Sequence, residues 1–161
     1  MVTGQHCYGQ FAKELALDPG IDIIRKLISS VRSSMIVNTF KLTTRLIILY
    51  LGIEKFRSLL REYWKKYLPE PFASAEGKKF ARYIEGRQLP IPYLKDILKL
   101  ERAILYQLQY EKNQKIDFGH DPYNIINSLA NRRKPTHAIR GNFEVEVKSN
   151  GILTFKTTEK Y

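Results

Sequence analysis

The side chain whose position most invites chemistry is the carboxylate of Glu101. It falls within the apolar stripe of a predicted helix, whose other members are Leu94, Ile97, Leu98, Ile104, Leu105 and Leu108. A carboxylate on such a face is costly to bury unless it is paired. It is therefore either a catalytic acid or metal ligand, or one half of a buried structural ion pair with Arg32 or Arg45. We favour the ion pair, because no second carboxylate or histidine lies at a ligand spacing on the same face.

Other reactive residue types occur without a recognised arrangement. The histidines are His6, His120 and His137, and the single cysteine is Cys7. No histidine is spaced from another histidine, a cysteine or a carboxylate as in known metal sites, and the sequence has neither a phosphate-binding loop nor a nucleophile elbow. We therefore predict no metal, no cofactor and no active site of its own. A binding or accessory protein is the favoured class.

Basic side chains outnumber acidic ones, with 27 Lys and Arg against 16 Asp and Glu, for a formal net charge of +11. The excess is densest in residues 25–66. From this stretch we select a candidate surface for a polyanion or an acidic protein partner: Arg57, Arg61, Lys65 and Lys66. Such a field attracts nucleic acids and acidic proteins alike, and a solvated helix face would have the same composition.

Apolar residues recur at helical spacing through most of the first 130 residues. Helices are predicted over about 5–17, 22–34, 36–51, 53–68 and 74–86, after Pro92, and after Asp121-Pro122. The stretch 36–51 is apolar nearly all round, so we expect it at the centre of the helical core. The polar residues 111–120 are predicted to form a connector.

The last part of the chain changes to the alternating pattern of β-strands. Residues 143–147 and 153–157 each place apolar side chains at every second position. A three-residue loop, Ser149-Asn150-Gly151, keeps these side chains on one face by pairing Val147 with Leu153 and Val145 with Phe155. The same register pairs Glu144 with Lys156. A third strand is predicted at Thr136–Ile139.

These elements predict a mainly α fold of five to seven helices. The helical bundle, residues 1–130, is followed by a small C-terminal antiparallel β-hairpin or three-stranded sheet, residues 131–161. One cysteine excludes a disulfide framework. The sequence shows neither a secretory signal nor an apolar stretch of roughly 20 residues that could cross a membrane, so we expect a cytoplasmic protein without membrane partners.

The order of several short motifs resembles a known family. Gln10-Phe11-Ala12 precedes Leu15 and Asp18-Pro19, and further along come Val31-Arg32, Leu51-Gly52 with Phe56, and Pro92-Tyr93-Leu94 with Asp96, Leu100-Glu101 and Ala103. Over about residues 10–106 the chain resembles the helical partner proteins of multinuclear non-heme iron oxygenases that modify ribosomally made peptides. The methanobactin biosynthesis protein MbnC and the HvfC-type proteins belong to this family. Some of its members are labelled "putative DNA-binding domain".

The resemblance implies an accessory subunit without catalytic residues. It would form a heterodimer with an iron-dependent oxygenase, which holds the iron, and help to bind the leader of a precursor peptide. In the methanobactin case the cysteines of that peptide become oxazolone and thioamide groups. A sheet edge can accept an extended peptide as an added strand. The candidate peptide-binding residues are Phe143, Val145, Val147, Ile152, Leu153 and Phe155.

Two other functions stay open. A DNA-binding regulator would use residues 25–66 for phosphate contacts, although no recognition helix is evident. A self-contained carboxylate enzyme would use Glu101.

Overall fold

The computed structural model describes Lys13 and residues 17–136, 138–149 and 152–157. Its helices are α1 (Pro19–Thr39), α2 (Lys41–Leu51), α3 (Ile53–Lys66), α4 (Ala73–Gly86), α5 (Leu94–Tyr110) and α6 (Pro122–Ala130). Its strands are β1 (Gln114–His120), β2 (Arg140–Val147) and β3 (Leu153–Thr157). The predicted fold class, mainly helical with a small antiparallel sheet, is confirmed. His6, Cys7, His137 and most of the helix predicted over 5–17 lie outside the described residues.

By its internal contacts the chain divides into two units, Met1–Ser34 and Met35–Tyr161. In the first unit, the described part is mostly the beginning of α1, and it carries large apolar side chains that are exposed: Leu17, Ile23, Ile24, Leu27, Ile28 and Val31. The division predicted at residue 130 stays a prediction. The sheet takes β1 from within the first 130 residues, so the second unit contains both helices and sheet.

The helices begin and end largely where glycine and proline occur. Gly52 separates α2 from α3 with φ of 84°, a left-handed conformation that glycine adopts without steric cost. The segment around Pro69 and Pro71 separates α3 from α4. One break carries no such residue. The helix predicted over 36–51 is interrupted at Phe40, so its first residues form the end of α1.

The core of the second unit collects the inner faces of its helices and one face of the sheet. Ile36, Phe40, Leu46 and Ile47 are fully buried there, and α2 contacts α3, α5 and α6. Between α3 and α4 lies an aromatic cluster in which the Tyr63 ring lies 5.1 to 5.5 Å from the rings of three neighbours, Tyr67, Phe80 and Tyr83. Such ring pairs add to the stabilisation that burial already gives.

Gly77 allows α4 to pack closely on its neighbour. A Cβ atom at this position would lie 2.7 Å from Cγ2 of Thr39 and 3.0 Å from the Phe40 ring. These contacts are shorter than carbon atoms tolerate, so a larger residue would push α4 away.

The sheet has the order β1-β2-β3, with antiparallel neighbours throughout. The predicted register of the hairpin is confirmed: Val147 lies opposite Leu153, Val145 opposite Phe155, and Glu144 opposite Lys156. Asn150 and Gly151 of the connecting loop lie outside the described residues.

The third strand differs from the prediction. Residues 114–120, predicted as a polar connector, form β1 and pair with β2, with an irregularity between Phe118 and His120 where the register shifts. The predicted strand at 136–139 is wrong. Its described residues are not in a strand, and the Arg140-Gly141-Asn142 segment expected to turn back belongs to β2 itself.

Candidate functional site

Strand β2 lies at the centre of the sheet, which leaves β3 at an edge. Among the described residues no strand pairs with the far side of β3. Lys148 N–H donates to the Ile152 carbonyl at 3.1 Å. Bonded and non-bonded pairs alternate along an antiparallel ladder, so the register makes Glu146–Thr154 a bonded pair. The backbone groups of Leu153, Phe155 and Thr157 consequently face away from β2.

An exposed aromatic pair lies beside this edge. The Phe155 and Tyr123 rings meet edge to face with 6.2 Å between centroids. Phe155 is 39% exposed and Tyr123, in the first turn of α6, is 64% exposed. A strand added at β3 would bring every second side chain toward these rings.

The six candidate peptide-binding residues fall into two groups. Val145 and Val147 are fully buried, and Phe143 packs partly against the core, so the β2 side chains hold the sheet onto the helices. Because β2 is paired on both sides, it cannot border a strand-addition groove. Leu153 and Phe155 are part of the edge strand, and Ile152, directly before it, is 53% exposed. Of the six candidate peptide-binding residues, only those at β3, namely Ile152, Leu153 and Phe155, can therefore border an added strand.

Glu101 caps a helix. Its two carboxylate oxygens accept hydrogen bonds from Leu42 N–H and Thr43 N–H, at 2.7 and 2.8 Å. These are the second and third residues of α2, where an N-cap side chain ordinarily binds, and Phe40 at the N-cap position supplies no side-chain bond. Glu101 is 5% exposed. Burial raises the pKa of its carboxyl to about 7, although the α2 donors and Arg45 act to lower it.

The arginines proposed as partners of Glu101 have other roles or stay untested. Arg45 forms no ion pair with Glu101 in the described part of the chain. It donates instead to the carbonyls of Leu129 and Ala130, at 3.1 and 3.2 Å, and acts on Glu101 only through its charge. Arg32 is buried in α1, and its pairing with Glu101 stays a prediction.

The four basic residues selected on α3 are all exposed but do not form one surface. Arg57, Arg61 and Lys65 follow one another at four-residue intervals, so they lie on one side of the helix. Arg57 is paired with Glu54 at 2.6 Å. Lys66 lies on another side, where it lines a cleft of about 350 Å³ with Arg82 and Arg87.

One cluster of side chains, formed by His120, Asp96 and Tyr93, could not be predicted from the sequence. His120 at the end of β1 places Nδ1 3.9 Å from Oδ2 of Asp96, and its ring meets Tyr93 edge to face at 4.9 Å. These residues line a cavity of about 310 Å³. His120 is 24 residues from Asp96 in sequence and further still from Tyr93, and β1 itself was not predicted. At 3.9 Å the carboxylate forms no hydrogen bond with the imidazole, and Nδ1 of His120 has no hydrogen-bond partner among the described residues. No nucleophile completes a catalytic arrangement within the residues described around the cavity.

Larger clusters of metal-ligating side chains are absent from the described part of the chain. No group of three or more His, Cys, Asp or Glu residues that could hold a metal ion is found within residues 17–136, 138–149 and 152–157. Among the helices of this same part of the chain, none is both long and apolar enough to cross a membrane.

Comparison of the chain with protein-family models, with curated proteins and with solved structures gives no match.

Proposed function

We propose that this chain is an accessory subunit that forms a heterodimer with an iron-dependent oxygenase and helps to hold the leader of a ribosomally made precursor peptide. The observation that carries the proposal is the outer side of β3, which pairs with no strand among the described residues. The backbone groups of Leu153, Phe155 and Thr157 face away from β2 there. The motif resemblance over residues 10–106 supports the same function independently, because it lies outside this strand.

Strand addition suits a protein that must bind one segment of a peptide while another protein modifies the rest. Backbone hydrogen bonds from β3 supply affinity that depends little on sequence, and alternate side chains supply selectivity. The Phe155 and Tyr123 rings would contact the inward side chains of the bound leader. The oxygenase would hold the iron, and the chemistry on the peptide cysteines would take place there, in the cytoplasm.

Phe155 is the position at which the proposal is best tested. Its N–H points outward, so proline there removes one donor to an added strand and leaves the β2 ladder intact, which edge strands tolerate. Proline at Thr154 would break the hairpin, because the Thr154 N–H faces β2. Phe155→Ala is the matched control, since it removes the ring and keeps the N–H.

The experiment is purification of the tagged chain from its own host at moderate salt, with mass spectrometry and iron analysis of what accompanies it. We expect one iron-containing protein in stoichiometric amount, together with a small peptide. Phe155→Pro should lose about tenfold or more of the peptide and retain the iron protein, while Phe155→Ala loses less. Equal peptide recovery with Phe155→Pro and the unchanged chain would refute the role of the β3 edge.

A DNA-binding regulator is the second candidate, and the row formed by Arg57, Arg61 and Lys65 favours it. Three exposed cations on one side of a helix can contact successive phosphates. The test is binding to duplex DNA between about 50 and 200 mM salt, with the Arg61→Gln and Lys65→Gln variants. Tight binding with a sequence preference would make this the leading function, whereas weak binding that ignores sequence would remove it.

A further inference from the structure

A cavity of about 320 Å³ lies along one face of α2, with Arg132 from the end of α6 at its rim. Val37, Ile48 and Leu49 give it apolar walls. Its volume is at the lower end of the range for small-molecule sites. Of its lining residues, only Arg45 was named above as a candidate site residue, and Lys41 belongs to the basic stretch 25–66.

Three cationic side chains surround this cavity. Lys41, Arg45 and Arg132 line it, and none of them forms an ion pair with any acidic group in the described residues. Three positive charges around one cavity repel one another, although solvent screens part of the repulsion because Lys41 and Arg132 are exposed. A bound anion would relieve it.

The backbone of Arg132 has a left-handed conformation, which favours glycine. Its φ is 56°, in the left-handed region. Arg132 N–H donates to the Leu129 carbonyl at 3.1 Å and Arg133 N–H to the Ser128 carbonyl at 2.8 Å. This is the Schellman arrangement, whose left-handed position is usually glycine. An arginine there carries backbone strain, as Gln88, Tyr93 and Glu111 do at the other non-glycine positions of positive φ in the described chain.

Arg45 is fixed in place before any ligand binds. One terminal nitrogen of its guanidinium donates to both the Leu129 and the Ala130 carbonyls at the end of α6. Its other N–H groups make no hydrogen bond within the described part of the chain. A guanidinium held in this way loses little freedom on binding an anion.

The cavity also has a polar group in need of a partner. Thr44 lines it and is 3% exposed, and its Oγ1 has no hydrogen-bond partner among the residues that the structure describes. Buried hydroxyl groups are rarely left unpaired, because the missing bond is costly. The oxygen atom itself is almost inaccessible to solvent, so an acceptor in the cavity would bond to it only after a small movement of the neighbouring side chains.

We propose that this cavity binds a small organic carboxylate with an apolar body. Lys41, Arg45 and Arg132 bind the carboxylate, the Thr44 hydroxyl donates to it, and Val37, Ile48 and Leu49 contact the apolar part. The site goes beyond the proposed function, since it lies on α2 and not on the sheet edge.

The probe is 4-phenylbutyrate, compared with 4-phenylbutanol and 4-phenylbutylamine, by calorimetric titration of the full chain. All three have the same apolar body, and they differ in charge. We expect saturable binding of the acid, binding of the alcohol at least about tenfold weaker, and no measurable binding of the amine. Absence of saturable binding of the acid, or equal affinity for acid and alcohol, would overturn the proposal.

Two substitutions, each of which removes one positive charge, test whether Lys41 and Arg132 bind the carboxylate. Lys41→Gln and Arg132→Gln should each weaken 4-phenylbutyrate binding by about three- to tenfold. Lys55→Gln is the matched control, because it removes the same charge from an exposed position of α3 that does not line the cavity. An equal loss with Lys55→Gln would show that net charge alone attracts the probe, and would refute the site.

Two further substitutions separate binding from folding. Arg132→Gly relieves the left-handed strain, and Thr44→Val removes the unpaired hydroxyl. We expect both to raise the melting temperature and to weaken probe binding by about threefold or more. Unchanged affinity in both variants would overturn the assignment of these side chains to a ligand. Because a gain in stability excludes misfolding, loss of affinity in these variants supports the site.

Discussion

Replacement of Glu101 by glutamine should change how stability depends on pH. In the native protein the carboxylate caps α2 from within the core, and burial raises its pKa from the ordinary 4.5 to about 7. The unfolded chain releases this proton near pH 4.5, whereas the folded chain retains it up to about pH 7. Between these values the folded state binds more protons, so stability falls as pH rises.

The magnitude follows from the difference between the two pKa values. Each pH unit corresponds to about 1.4 kcal/mol, so the full interval is worth about 3 kcal/mol of unfolding free energy. This contribution is present below pH 4.5 and is lost by about pH 7 to 8. Glutamine at position 101 resembles the protonated acid in shape and does not ionise. The stability of the variant therefore does not show this decrease with rising pH.

The assay is urea denaturation of both proteins at several values between pH 4.5 and pH 8. The quantity to compare is the difference between the unfolding free energies of the two proteins. The contributions of all other titrating groups are the same in both proteins and cancel in this difference. We expect the native protein to lose about 3 kcal/mol relative to Glu101→Gln over this range. Glu54→Gln, which removes an exposed carboxylate from α3, should follow the native protein within about 0.5 kcal/mol.

The opposite sign would refute this reasoning. If the native protein gained stability relative to Glu101→Gln as pH rose, the α2 donors would outweigh burial and the pKa would be lowered. A difference independent of pH would mean that the pKa is the same in the folded and unfolded chains. In either case Glu101 would not be a carboxyl kept protonated by burial.

Three further substitutions test other features of the fold by denaturation. Gly77→Ala should destabilise the protein by about 1 to 3 kcal/mol, because its Cβ would meet Thr39, while Gly86→Ala, where a Cβ meets nothing within 4 Å, should not. Asp121→Ala should cost about 1 kcal/mol, since it removes the 3.0 Å bond from the Tyr123 N–H that caps α6. Arg45→Met should extend the pH-dependent loss of stability to higher pH, because a charge that lowers the Glu101 pKa is gone.

The sequence determined the hairpin closely because its pattern has a period of two. A shift of one residue would turn Val145 and Val147 to the opposite face, so only one register buries both. The same signal was present in β1, where Ile116 and Phe118 alternate with Lys115 and Asp117. It was missed because five of its seven residues are polar or glycine. Only Phe118 of this strand is fully buried, which makes the alternation short.

The partner of Glu101 could not be predicted in the same way. An apolar stripe with one carboxylate led us to predict a buried ion pair with Arg32 or Arg45. The partner is the backbone at the start of α2, 58 and 59 residues away, at a break that neither glycine nor proline marks. Backbone N–H groups are present at every residue except proline, so the side-chain sequence carries no information about which of them is left unpaired.

Arg45 connects the fold with the proposed carboxylate site. It binds the carbonyls at the end of α6, it acts on the Glu101 that caps α2, and it lines the cavity. A substitution there would change helix capping, the Glu101 pKa and anion binding together. Lys41 and Arg132 are exposed and lack these connections. Loss of binding in their variants, at unchanged or increased stability, is therefore the result that distinguishes a ligand site from a cationic part of the scaffold.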